Sequence, residues 1–282
     1  MGVLERVWVA FFATVLAIAW LTPGGGDASL QRGRFTAVIV AMLLLQVLVG
    51  RMPLSPARRR QARTVLACLC LPVSFSSLGW LLPAVHPEPW EWCWLACDRA
   101  LFGTDVTVAL QRWAWPPLVE VLQWAYASFY LLPIAAVGFV GRHRGGAAFD
   151  RAMTIVVTAF LLSYQGYLLF PTLQPDQFLD HGPVRGLWAA AWLHDAIPSV
   201  EANRWDCFPS GHTMLSLVAV IVVRRWAPRR LLPVLALALA VIASTLLLHY
   251  HWASDVLAGA LLAWPAVKLV DFLLDLDCAE PA

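Results

Sequence analysis

Asp206-Cys207-Phe208-Pro209-Ser210-Gly211-His212 opens the stretch that decides the fold, and Ser244-Thr245-Leu246-Leu247-Leu248-His249-Tyr250-His251-Trp252-Ala253-Ser254-Asp255 closes it. Between these polar ends lie two apolar runs, 213–223 and 231–248, joined by the basic link Arg224-Arg225-Trp226-Ala227-Pro228-Arg229-Arg230. Two apolar helices joined by a short turn return the chain to the side it left, so His212 and His251 are expected at one membrane face although 39 positions separate them. An aspartate and two imidazoles beside apolar helices are costly, roughly 2.5–3.5 kcal/mol for a central Asp on insertion scales, and groups retained at such cost usually serve a function.

Working outward, the chain of 282 residues is 60% apolar and 13% charged, with a mean hydropathy of +0.67. Soluble domains are nearer half apolar and a quarter charged. The expected fold class is all-α: a polytopic transmembrane helical bundle of about eight spans, with two outer-face loops containing interfacial helices. A net charge of +2 does not point to nucleic acid; the bilayer and a membrane lipid are the expected partners. Cys68 and Cys70 sit in an apolar run as small hydrophobes. Cys93, Cys97 and Cys207 fall in the outer loops, where Cys207 has two possible disulfide partners. No cysteine or histidine spacing reads as a zinc site, and neither metal nor cofactor is expected.

The first run, Val3–Leu21, lacks an A-x-A-like cleavage site and is long for a signal peptide, so it is read as a retained helix followed by Thr22-Pro23-Gly24-Gly25-Gly26. Runs 35–50 and 64–82 complete an N-terminal group of helices, 1–85. Segment 86–116 alternates Trp90, Trp92, Trp94, Trp113 and Trp115 with charged residues and holds no run of twenty apolar ones, so it is expected to lie in the interface. The remainder, 117–282, is read as a catalytic core. It holds spans at 117–140 and 152–170, a long outer loop 171–209 with Trp188, Trp192 and Trp205, the hairpin already described, and a last span 252–274 in which Ala258-Gly259-Ala260 permits close helix approach.

Orientation follows from the basic residues. With the N-terminus inside, fourteen of the 20 Lys and Arg fall on the cytoplasmic side and six, Arg32, Arg34, Arg99, Arg112, Arg185 and Arg204, outside. The positive-inside rule therefore predicts cytoplasmic termini and an extracytoplasmic site.

His251 and Asp255 are four apart and share a helix face. A carboxylate that accepts one ring N–H fixes the tautomer, leaves the other nitrogen free to attack and favours the resulting cation. Ser210 is the expected N-cap of the helix that carries His212. The free N–H groups behind it suit an anion, and Gly211 lets a phosphate oxygen approach the backbone. One imidazole as nucleophile, a second as proton donor and an N–H cradle between them suit phosphoryl transfer without a metal. His249, six positions from Asp255, is read as a rim residue.

Pro209-Ser210-Gly211-His212 resembles the second signature of the type 2 phosphatidic acid phosphatase superfamily, and Ser244-Thr245-x5-His251-x3-Asp255 its third, S-R-x5-H-x3-D. The resemblance covers about the last 130 residues. It implies an integral-membrane phosphatase or phosphotransferase acting on lipid phosphates, with His251 as the nucleophile that forms a phosphohistidine, His212 as general acid and Asp255 as the group that orients His251. The oligomeric state is left open. Thr245 stands in place of the signature arginine, and of the first signature, K-x6-R-P, the stretch 163–171 keeps only Pro171. In this respect, and in Asp98-Arg99-Ala100-Leu101-Phe102-Gly103, the chain is similar to the branch containing inositol phosphorylceramide synthases, which implies transfer of a phospho-headgroup to a lipid hydroxyl. Gly211 is the phosphatase-like choice.

A buried phosphate needs compensating charge. Arg204 and Arg185 are the expected phosphate-binding cations, and Tyr164 and Gln165 the expected hydrogen-bond donors to substrate. Asp176, Asp180, Asp195, Glu201 and Asp206 are read as solvated loop charge. A different class, a proton-coupled transporter using His212, His251 and Asp255 as a relay, calls for polar groups in broken helices near mid-membrane, whereas these cluster at helix ends.

Overall fold

The structure, a computed structural model, describes residues 2–23, 27–86, 88–201 and 203–279; Gly24, Gly25 and Gly26, which follow the first run, lie outside the described residues. Twelve α-helices are described and no strand, so the all-α expectation stands. Among the described residues seven helical stretches are long and apolar enough to cross a membrane. They are α1 (Val3–Leu21), α2 (Ala28–Arg51), α3 (Pro56–Val85), the stretch Pro116–Arg144, α8 (Gly146–Leu169), α11 (Leu231–Leu247 of the stretch Pro228–Leu247) and α12 (Ala253–Ala279). The eighth expected span, α10 (Gly211–Trp226), has 16 residues and covers only about 24 Å of a hydrocarbon core near 30 Å. It is shielded instead, packing against α7, α8, α11 and α12 at the centre of the bundle.

The stretch Pro116–Arg144 is not one continuous α-helix. α6 (Pro116–Ser128) gives way to a 3-10 turn, Phe129–Leu131, before α7 (Leu132–Arg144). Pro133 explains the break, because it has no N–H for the carbonyl of Phe129 and its ring crowds that turn. α3 begins earlier than its apolar run. Ser55 caps it, accepting the N–H of Arg58 at 3.4 Å, and Pro56 occupies the first helical position.

With lipid as solvent, packing rather than apolar burial holds the helices together. One core joins α1, α3, α7, α8, α10 and α12, with Phe12, Leu78, Ala136, Ala159, Val218 and Val270 at its centre. Gly259 is required there: a Cβ on it would lie 2.4 Å from the carbonyl oxygen of Ser210. Leu44, Leu69, Val121, Leu232, Leu261 and Trp264 face outward, as lipid-exposed positions should. Arg6 pairs with Asp277, Arg63 with Glu5, Arg60 with Asp150 at 2.8 Å, and Arg151 and Arg225 with Asp271. These ion pairs gather the ends of α1, α3, α8, α10 and α12 at the end of the bundle opposite His212.

At the histidine end lie α4 (Glu91–Phe102), α5 (Val106–Leu110) and α9 (Ala190–Glu201). Trp92, Trp113, Trp115, Trp188 and Trp192 are exposed there, as interfacial indoles are. Two buried carboxylates hold this layer to the bundle. Glu120 of α6 accepts the backbone N–H groups of Leu187, Trp188, Ala189 and Ala190 at the start of α9. Asp98 of α4 accepts those of Ala253 and Ser254 at the start of α12. Each satisfies donors that a helix N-terminus leaves free and places a negative charge at the positive end of its dipole.

Candidate active site

Ser210 caps α10 as expected: its Oγ accepts the N–H of Thr213 at 3.2 Å, and this places His212 in the first turn. α11 ends two residues before His249, whose φ of +64° reverses the chain in a left-handed conformation that His tolerates better than β-branched residues do. The carbonyl of Thr245 then accepts the N–H groups of both Tyr250 and His251, at 2.9 and 3.0 Å. The second signature residue thus sets the return of the chain through its backbone, while its hydroxyl donates to the Ile242 carbonyl. Asp255 closes the arrangement. Its Oδ2 accepts the N–H of Trp252 at 3.0 Å, and its carbonyl accepts that of Ser210 at 3.1 Å, linking the two motifs directly.

Nδ1 of His212 lies 3.2 Å from Nε2 of His251, and Nδ1 of His251 lies 3.6 Å from Oδ2 of Asp255. Asp255 is wholly buried and both rings are nearly so. Nε2 of His212, Nδ1 of His251 and Oδ1 of Asp255 have no hydrogen-bond partner. A proton on Nδ1 of His251 facing the carboxylate leaves Nε2 as the free lone pair, the one turned toward His212. Tyr126 stacks on the His212 ring at 4.4 Å and Phe129, at the helix break, lies 4.2 Å from it. These aromatic neighbours carried no sequence signal apart from Pro133. The room beside Gly211 is filled by the Tyr167 hydroxyl, 2.4 Å from where a Cβ would stand, so the glycine accommodates Tyr167 in this arrangement.

His212 closes one end of a cavity of about 660 Å³ walled mainly by α3, α7 and α8. It follows α8 from Phe149 to Tyr167, eighteen residues or about 27 Å, which is nearly the depth of a bilayer's hydrocarbon core. The walls are mainly apolar, with the hydroxyls of Thr64, Ser76 and Ser163 among them, and the carboxyl-bearing Glu201 and Asp206 also reach the lining.

The structure brings His212, His251, Asp255, Ser210 and Gly211 together. It does not bring Arg204 or Arg185 to them: both are exposed, neither lines the cavity, and no Lys or Arg does so among the described residues. Tyr164 lines the cavity, its hydroxyl donating to the Leu71 carbonyl at 3.4 Å; Gln165 is half-buried and does not reach it. Three further readings need correction. Glu201 and Asp206 are buried, not solvated, because the bridge between Thr172 and Asp206 folds the end of the long loop inward. Burial pushes the Glu201 carboxyl up to about 7 and Asp206 well above the usual carboxylate range, with Glu201 adding to the effect. His249 is likewise buried, stacked on His181 at 3.8 Å in a separate outer hollow. Cys207 is a free thiol, as are Cys68, Cys70, Cys93 and Cys97.

Cys207, His251 and Asp255 place ligand-capable atoms within 4.8 Å of one another. A zinc site needs the thiolate, whereas the Cys207 S–H donates to the Tyr250 carbonyl at 3.4 Å and burial raises its pKa well above the ordinary thiol value. This trio fits a hydrogen-bonded thiol beside the His–Asp pair better than a closed metal site.

Over a 92-residue stretch, 29% of this chain, the sequence is 34% identical to phosphatidylglycerophosphatase B of Escherichia coli (strain K12), and the corresponding protein of Shigella flexneri matches to the same extent. The chain spans 36% of the length of these relatives. No solved structure gives a significant match. A family model described as the PAP2 superfamily matches residues 94–269, a region that contains the signature residues and begins well upstream of them. That reach has a physical counterpart in Asp98, which lies inside the matched region and holds the start of the helix of Asp255. By this match, over more than half its length, the chain belongs to the PAP2 superfamily.

Proposed function

We propose that this protein is an integral-membrane lipid-phosphate phosphatase that works through a phosphohistidine at the extracytoplasmic face. The observation that carries the reading is the contact of His251, backed by Asp255, with His212, which lines a long and mainly apolar cavity. An apolar chain lies in the cavity and presents its phosphate to the two rings, taking the place of their mutual hydrogen bond. Nε2 of His251 attacks phosphorus, and the P–O bond to the lipid alcohol breaks. The leaving oxygen takes a proton from His212. Asp255 favours the imidazolium-like product. Water, losing its proton to His212, then attacks phosphorus; the P–N electron pair returns to His251 and phosphate leaves. The chain's own imidazoles and backbone donors carry each step, so the reading requires no metal.

The transferase reading differs only in the acceptor, a lipid hydroxyl in place of water. The names of the matching relatives favour water. A proton-coupled transporter is disfavoured, because the carboxyl and imidazole groups of the lining are confined to Glu201, Asp206 and His212 and the rest of the cavity wall is mainly apolar. The test is incubation of purified protein with labelled phosphatidic acid, phosphatidylglycerophosphate and polyprenyl diphosphate, and with an inositol or ceramide acceptor pair. Free phosphate and new phospholipid are measured separately. Release of phosphate with acid-labile, base-stable label on the protein supports the phosphatase; absence of both products and of any labelled protein overturns it.

A further inference from the structure

The cavity carries two acidic groups that the proposed chemistry leaves unused. Glu201 is 7% exposed and Asp206 4%, and both line the cavity with His212. Glu201 accepts the Tyr130 hydroxyl through one oxygen; its other oxygen, Oδ1 of Asp206 and Nε2 of His212 are all buried without a partner. Among the described residues no Lys or Arg reaches this lining. A phosphate bound beside His212 would therefore share a poorly screened pocket with two carboxyl groups, whose ionisation disfavours the anion unless a cation enters with it.

What surrounds the pair indicates which cation. Phe75, Phe129, Tyr130, Tyr164 and Tyr167 line the same cavity, and aromatic faces combined with carboxylates suit a primary or quaternary ammonium. A magnesium ion requires six oxygens in near-octahedral order and gives up its waters reluctantly, which these apolar walls do not match. Resting on the reading above, we infer that Glu201 and Asp206 form a subsite for an ammonium group carried by the substrate, so that the preferred substrate class is a lipid phosphate with an amine a few bonds from phosphorus. Burial, which raises both carboxyls, keeps the empty site near neutral, and an arriving ammonium favours ionisation. Asp206, Tyr130, Tyr164, Tyr167 and His212 are the titratable groups that share the cavity with Glu201, and Tyr126, stacked on His212, and Tyr250, stacked on Tyr126, lie behind them.

The amine has two possible locations. In a phosphate monoester of a long-chain amino alcohol it sits on the lipid side; in phosphatidylethanolamine it sits on the headgroup side. In both cases the bond to the lipid alcohol breaks, His212 protonates that oxygen, and phosphate or aminoalkyl phosphate is released by water. The test compares kcat/KM for these two lipids with phosphatidic acid, which has no amine, in the wild-type protein and in Glu201→Gln and Asp206→Asn. A preference of tenfold or more for one amine lipid, reduced at least tenfold by either substitution relative to phosphatidic acid, is the expected result and identifies the side. Equal turnover of all three lipids by the wild type overturns the inference, as does a parallel fall for all three in both variants with unchanged melting temperature. So does a preference that appears only with added Mg²⁺. Equilibrium binding of hexadecylphosphocholine against hexadecyl phosphate to the His251→Ala protein tests the subsite independently of chemistry. Selective binding there without turnover of any lipid would refute the phosphatase and leave the subsite standing.

Discussion

Asp98, in a helix outside the transmembrane bundle, accepts the backbone N–H of Ser254 at 2.8 Å across 156 positions of sequence. The next residue, Asp255, faces His251. A side chain with no place in either histidine motif therefore fixes the start of the helix on which the carboxylate facing His251 stands.

Replacing Asp98 by Ala should leave two buried donors without a partner, a loss of about 2–4 kcal/mol, and tilt the start of α12. The expected outcome is a lower melting temperature in detergent and at least a tenfold drop in kcat with KM little changed. Asp98→Asn, which keeps an acceptor oxygen, should fall between. Wild-type kcat in Asp98→Ala would remove Asp98 from the positioning of Asp255.

The two histidines should fail differently. His251→Ala is expected to abolish turnover and any trapped phosphoenzyme, since no attacking atom remains. His212→Ala should lose phosphoenzyme formation from a lipid monoester, yet recover much of it with an aryl phosphate, whose leaving group needs no proton. Asp255→Asn should retain an intermediate rate. Rapid-quench trapping of acid-labile phosphate checks all three; rescue of His251→Ala by the aryl phosphate would reverse the roles.

Arg204 and Arg185 stand exposed and away from the cavity. Arg204→Ala and Arg185→Ala should each leave turnover at saturating lipid within threefold of the wild type. A fall beyond tenfold, about 1.4 kcal/mol in the barrier, would mean that the outer loop closes over bound phosphate and delivers the charge.

The raised carboxyls make stability depend on pH in a stated direction. Glu201 ionises near 7 in the folded chain, against 4.5 for an ordinary glutamate, so the folded state binds more protons between these values. Its contribution is fully present below about pH 4.5 and is lost as pH rises through 7. Asp206 acts in the same direction. The melting temperature in detergent should decline over that window, and Glu201→Gln should flatten the decline; an unchanged slope would place the titrating group elsewhere.

Membrane sidedness has its own test. A membrane-impermeant thiol reagent should label single cysteines placed near Trp90 or Asp195 from outside, and should not reach ones near Arg59 or Arg229. Labelling of the Arg229 link would invert the orientation and put the site in the cytoplasm.

Composition and periodicity were enough to determine a helical membrane bundle, because lipid forces every backbone polar group of a span to be satisfied within its own segment. The signal is local, and it is written in consecutive residues. The pairing of His212 with His251 was legible for a related reason: a hairpin of apolar helices has one geometry, and four-residue spacing puts Asp255 on the face of His251. Three features lay beyond that reach. The burial of Glu201 and Asp206 depends on a bridge to Thr172, and a charged loop residue reads alike whether it faces water or a cavity. Arg204 and Arg185 were matched to the phosphate by charge alone, and charge says nothing of distance. Asp98 acts from a segment far away in sequence, on a helix N-terminus that only the folded chain brings within 3 Å of it. Local chemistry selects the elements and the histidine pair; which carboxylates enter the site, and what holds it rigid, is decided by contacts between segments that the sequence leaves far apart.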